Sequence, residues 1–165
     1  MEKQPQRPVL GALETQLSFE EAQSLCAMED MPVEAFSFTG GGAPGAQLAK
    51  SEWRGCALKG VCLRGADLRG AYFRDVSFLN CDFAGAALIG ATLHRCAFEG
   101  CRLTGANFSA GALADVRFFG CVAQSAAFSE CGMKAVLFEQ TDLSGAAFCD
   151  IGLRRRAAFA FKECS

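Results

Sequence analysis

A single histidine, His94, is all the imidazole this 165-residue chain carries, and no CxxC pair occurs in it. No segment approaches the ~20 continuous apolar residues that span a bilayer. Each absence excludes something. His94 has no Ser-His or Cys-His pairing that the sequence justifies, and no Cys/His cluster has zinc spacing. The glycine stretch Thr39–Gly45 lacks the GxxxxGK[ST] pattern of a phosphate cradle. Neither sign of charge dominates, with 16 Lys and Arg against 18 Asp and Glu for a net charge of −2. The opening Met-Glu-Lys-Gln-Pro-Gln-Arg has no apolar run behind it, so it reads as no secretory signal and a cytoplasmic location is expected.

What is present is a period of five. Every fifth residue from Leu48 to Leu153 is apolar, giving 22 sites of which 19 are Leu or Phe. Two places before each stands a small or β-branched residue, as at Ala46, Cys56, Val61 and Ala66, with Ile151 the one bulky exception. Neither a helix nor a long strand has this period, so the chain turns a corner after each short extended piece. Each unit cannot bury its large residue alone and has to stack on its neighbours, which makes a solenoid.

Ala66-Asp67-Leu68-Arg69-Gly70 and Ala106-Asn107-Phe108-Ser109-Ala110 are close copies of A(D/N)LXX, and here the chain resembles the pentapeptide-repeat family. The resemblance covers about two thirds of the sequence and implies an all-β fold, a right-handed quadrilateral β-helix with four pentapeptides per turn. The columns test that implication. Every twentieth small position is alanine, from Ala46 through Ala66, Ala86, Ala106 and Ala126 to Ala146. A large-residue column runs Leu58, Phe78, Phe98, Phe118, Phe138, where four rings can stack. At ~4.8 Å between strands, about five and a half turns make a solenoid roughly 25 Å long.

Three segments follow: 1–35, an N-terminal tail and short capping helix; 36–153, the β-helix; and 154–165, an irregular C-terminal segment read as truncated or as an end-to-end dimer surface. Ser18-Phe19-Glu20-Glu21 has the form of a capping box, which predicts a helix near 19–29 that lies against the open first coil. Its other reading is a partner-binding arm. Thr39–Gly45 is expected as a loop or irregular corner. Arg156 falls on an inward small position, so the register breaks there. Phe161 can resume the stack after a three-residue slip, with Cys164 at the next small site.

Of ten cysteines, Cys56, Cys81, Cys96, Cys101, Cys121 and Cys131 take small inward positions and read as core. Cys81, Cys101 and Cys121 share a column, which leaves a soft-metal or redox role as the minor alternative. Glu99 and Glu139 share a face but stand two turns apart, about 10 Å by strand spacing, too far for paired acid/base work. No enzyme, cofactor or metal site is expected.

Function is therefore sought on the outside. The residues after one large column read Arg54, Arg74, His94, Ala114, Lys134, Arg154, a mostly basic stripe and a candidate nucleic-acid contact. The next side carries Lys59, Leu79, Glu99, Phe119 and Glu139, so Leu79 and Phe119, with Leu137 beside them, form a candidate protein-binding patch. The family's best-studied branch consists of quinolone-resistance proteins that mimic DNA and bind DNA gyrase or topoisomerase IV. Mimicry requires dense negative charge, whereas residues 46–153 here hold 10 basic and 10 acidic residues. The expectation is a bacterial-type protein-binding module, with a topoisomerase as the specific partner that the resemblance implies.

Overall fold

Residues 4–16, 18–27, 32–153 and 159–165 are described by the structure, a computed structural model. The pentapeptide is its unit. In Ala66-Asp67-Leu68-Arg69-Gly70 the small and large residues are buried, the one between them is half-buried, and the last two are exposed. The chain turns at the fifth residue, where φ is positive, as at Gly65 (62°) and Gly70 (65°). Asp75, Arg95 and Asp115 occupy the same corner position at φ 56°, 52° and 56°. A side chain held in this left-handed conformation costs roughly 1–2 kcal/mol, and after Gly55 this column carries a side chain at Asp75, Arg95, Asp115 and Ala135.

Four such corners close one right-handed turn, and consecutive turns hydrogen-bond as parallel strands offset by twenty residues. The first face is built from β2 (Val33–Glu34), β4 (Glu52–Arg54) and β6 (Tyr72–Arg74). The second face is built from β3 (Phe36–Thr39), β5 (Ala57–Lys59) and β7 (Ser77–Leu79). From there β8 (Thr92–Glu99), β9 (Ala112–Phe119) and β10 (Gly132–Glu139) run through the corner and serve both faces. The other two faces are ladders of single bridges, such as Cys62↔Asp82↔Arg102 and Asp67↔Ala87↔Asn107.

The interior is a herringbone of rings. Phe78, Phe98, Phe118 and Phe138 stack with centroids 4.6, 4.9 and 4.7 Å apart. A second stack, Phe108, Phe128 and Phe148, has spacings of 4.9 and 5.0 Å and meets the first edge-on. Both arrangements suit the ring quadrupole. The alanine column is buried from Ala46 to Ala126.

The coil begins earlier than its sequence pattern does. Val33 is buried opposite Trp53, and the glycine stretch is a regular part of the first turn rather than a loop. Gly40 and Gly45 donate their N–H groups to the carbonyls of Lys59 and Arg64, both at 2.7 Å. Gly42 bridges to Cys62 at φ 114°, and a Cβ there would lie 2.2 Å from the Cys62 oxygen. Glycine is required for that approach, while the large position of this unit falls on Ala43, whose small side chain weakens the apolar period in the first turn.

The helix α1 (Phe19–Ala27) forms as expected. The Glu21 N–H donates to Ser18 Oγ at 3.2 Å while the Ser18 N–H donates to Glu21 Oε2 at 2.8 Å, the reciprocal bonds of a capping box. Phe19 is buried with its ring 6.3 Å from both Phe38 and Trp53, so the helix covers the first coil. At the other end, after β11 (Gly152–Leu153), the register does slip by three: β12 (Phe159–Lys162) pairs Phe161 with Phe138. Cys164 Sγ then donates to the Phe138 carbonyl at 3.5 Å, as a small inward residue should.

Candidate functional site

The basic stripe aligns. Arg54, Arg74, His94, Ala114 and Lys134 are consecutive ladder partners, while Arg154 lies outside the described residues. Its charge is largely compensated. Glu52 hydrogen-bonds Arg54 at 2.8 Å and holds that guanidinium above its ordinary pKa, and Arg74 Nε lies 3.6 Å from Asp75.

On the second face Lys59, Leu79, Glu99, Phe119 and Glu139 form one ladder column, and Leu79 and Phe119 are each half-buried. The Arg117 guanidinium lies 4.6 Å over the Phe119 ring and donates to Glu139 Oε2 at 2.7 Å. Leu137 does not join this patch, being only 4% exposed. It lies in the adjacent column between Arg117 and Ala160 of β12. β12, resuming the stack after the three-residue slip, places a further coil over Leu137.

The inward cysteines behave as core. Cys81, Cys101 and Cys121 each donate Sγ–H to a carbonyl of the coil below, at 3.4, 3.4 and 3.3 Å. Cys101, hydrogen-bonded to Cys121 and Cys81 and buried, is held above the ordinary thiol range. Burial pushes Cys96 up to about 12. Cys96 and Cys101 are therefore protonated and unreactive near neutrality, while the hydrogen bond with Cys101 lowers the pKa of Cys81 and Cys121 against the opposing effect of burial. Among the described residues no cluster of three or more His, Cys, Asp or Glu is placed to hold a metal.

The feature missed in the sequence is a strap. The N-terminal segment runs back along the corner between the first two faces, against the direction in which the coils stack. The Gln6 N–H donates to Asp115 Oδ1 at 3.3 Å, the Val9 N–H donates to Asp75 Oδ1 at 3.0 Å, and β1 (Glu14–Gln16) pairs with β3 in the first turn. Pro5, Arg7 and Leu10 face Ala97 and Arg117 across a cleft of about 160 Å³. The non-glycine corner now has a use: Asp75 and Asp115 seat the strap, and Arg95 between them donates Nε–H to Asp75 Oδ1 at 2.7 Å.

The Arg95 guanidinium, with help from the Val9 N–H, holds the Asp75 carboxyl below the usual carboxylate range against the opposing effect of burial. The unfolded value is about 3.9. The resulting stabilisation is fully present above that pH and is lost as pH falls through the lower folded value. A carboxyl-detected NMR titration should find Asp75 titrating below 3.9 in the native chain, and the Asp75→Asn variant should lose that part of the acid dependence of unfolding.

A family model for the pentapeptide repeat region matches residues 71–148 and 91–165, and one for pentapeptide repeats (8 copies) matches residues 45–75. No curated protein matches the chain. A trypsin-treated form of QnrB1, a plasmid-mediated fluoroquinolone resistance protein, is similar in structure at 18% identity over 81% of this chain and 83% of that one, with a TM-score of 0.45. HetL, involved in heterocyst differentiation regulation in the cyanobacterium Nostoc, has 18% identity over 84% and 75% of the two chains, with a TM-score of 0.29. Rfr23 from the cyanobacterium Cyanothece has 13% identity over 78% and 88%, with a TM-score of 0.28. With its five-residue columns stacked at twenty-residue intervals and family models matching well over half its length, this chain belongs to the pentapeptide-repeat family.

Proposed function

We propose that the chain is a non-enzymatic, cytoplasmic protein-binding solenoid whose contact surface is the second face, around Leu79 and Phe119. The observation that carries this reading is the arrangement of Arg117, Phe119 and Glu139. A half-buried aromatic ring with a guanidinium laid over it, on a strand fixed by parallel neighbours on both sides, presents two residue types that protein interfaces favour. Strands hydrogen-bonded on both sides hold the backbone of that surface in place, which lowers the ordering cost on binding. The basic stripe supports nucleic-acid binding less well, because Glu52 and Asp75 already answer two of its arginines.

The specific partner that family membership brings forward is a type II topoisomerase. The balanced charge of the coil favours engagement through the Arg117 and Phe119 surface over a DNA-like negative field. The test is a gyrase supercoiling assay, with and without a fluoroquinolone, titrating wild-type chain and Phe119→Asp. Inhibition or drug protection at low micromolar concentration, lost in F119D while circular dichroism stays native, is the expected result. No effect of the wild-type chain across the titration would remove the topoisomerase. Equal effects of both chains would remove the Phe119 face.

A further inference from the structure

The N-terminal strap lies on the solenoid as a bound peptide lies on a receptor. Its hydrogen bonds to the solenoid are made by main-chain groups, with Val9 turned outward at 68% exposure while Pro5, Pro8 and Leu10 line the cleft. Three residues separate Gln6 from Val9, and two coils separate Asp115 from Asp75. A polyproline-type chain advances about 9.3 Å in three residues, and two coils at ~4.8 Å span about 9.6 Å. The steps match. Pro5 and Pro8 bias the segment toward that extended form by fixing their own φ and restricting the residues before them.

One anchor on the solenoid's side, Asp75, is held by a partner other than the strap. Arg95 grips both oxygens of Asp75, at 2.7 and 2.5 Å, which orients Oδ1 toward the incoming N–H. Ala57, Ser77 and Ala97 make a row of small side chains beside the corner, so a main chain can approach closely; Ala97, at an outward position, is only 7% exposed. With the strap in place Asp75 and Asp115 are both buried.

We propose that this corner is a docking track for an extended, proline-bearing peptide of another protein, read through main-chain N–H groups three residues apart, and that the N-terminal strap occupies it in cis until such a peptide displaces it. The track borders the Leu79/Phe119 surface, with Glu99 and Arg117 lining the cleft between them, but its anchors are Asp75 and Asp115. A tethered segment competes at millimolar effective concentration, so the cis strap sets the threshold that any partner has to exceed.

The experiment uses the full chain and a fluorescently labelled synthetic peptide of residues 4–13. In the double variant Gln6→Pro/Val9→Pro both donor N–H groups are gone and no core residue is changed. The labelled peptide should bind this variant at least about tenfold more tightly than the wild-type chain. Binding should be lost when Asp115→Ala is added, and lost again when the peptide itself carries the two prolines. In the wild-type chain the Gln6 and Val9 amides should exchange with solvent more slowly than in the free peptide. Equal affinity for both chains, undiminished binding of the proline-substituted peptide, or amide exchange at the free-peptide rate would each overturn the proposal. A wild-type dimer by light scattering that the Q6P/V9P change abolishes would assign the track to a second copy's strap and overturn the assignment to another protein. Because Phe119 has no part in these readouts, failure here and failure of the supercoiling assay are separate results.

Discussion

Phe118→Ala is expected to destabilise the fold by about 3–5 kcal/mol. The ring is fully buried between Phe98 and Phe138 at 4.9 and 4.7 Å, with the edges of Phe108 and Phe128 at 5.9 and 5.8 Å. Removing it leaves a cavity that the walls cannot close, because parallel hydrogen bonds hold the coils at a fixed ~4.8 Å spacing. The lost stacking adds about 0.5–1.5 kcal/mol to the lost burial. The position within the solenoid matters as well. Each coil touches only its neighbours, so a weak fifth turn uncouples the coils before it from those after it. Guanidinium unfolding should therefore show both a lower midpoint and a broader or divided transition. Ile89→Ala, on an exposed side chain, should stay within about 0.5 kcal/mol of the wild type. If the two variants unfolded alike, the ring column would not be the structural axis.

That column was legible because burial leaves a periodic trace. An inward position repeated every five residues, summed over many turns, identified Phe78 through Phe138 and the alanines without any knowledge of contacts. The capping box was legible for a similar reason, since Ser18 and Glu21 are three residues apart and bond to one another. What stayed hidden is held by other means. The strap is fixed by main-chain N–H groups, which every residue but proline carries, so its one trace in the sequence is the spacing of Pro5 and Pro8. The first turn was partly masked because its large position between Phe38 and Leu48 is filled by Ala43, inside a glycine stretch that reads as a loop. Leu137 was placed on the exposed patch, whereas β12, resuming the stack after the slip, covers it. The neutralisation of Arg54 by Glu52 could have been read: residues two apart on a strand point to the same side.

The inward assignment itself is tested most sharply by a pair of substitutions two residues apart. Ala106 is fully buried in a column with Ala86 and Ala126 directly below and above it, and its N–H donates to the Leu103 carbonyl at 2.9 Å to close the turn. Leucine there would have to push a branched side chain into space already filled by the coil's own backbone and the Phe108 ring stack. Ala106→Leu should cost about 1–3 kcal/mol or more, with the backbone ladder limiting any relief by local expansion. Thr104→Glu places a longer and charged side chain on the third face, where position 104 is half-exposed between Ala84 and Gln124 in its column. It should be nearly silent, within about 0.5 kcal/mol. Thermal or denaturant unfolding of the two variants side by side settles the register by their difference. Equal destabilisation would mean that the residue after the large position also faces the core, which a four-sided coil with only two inward residues in five does not permit.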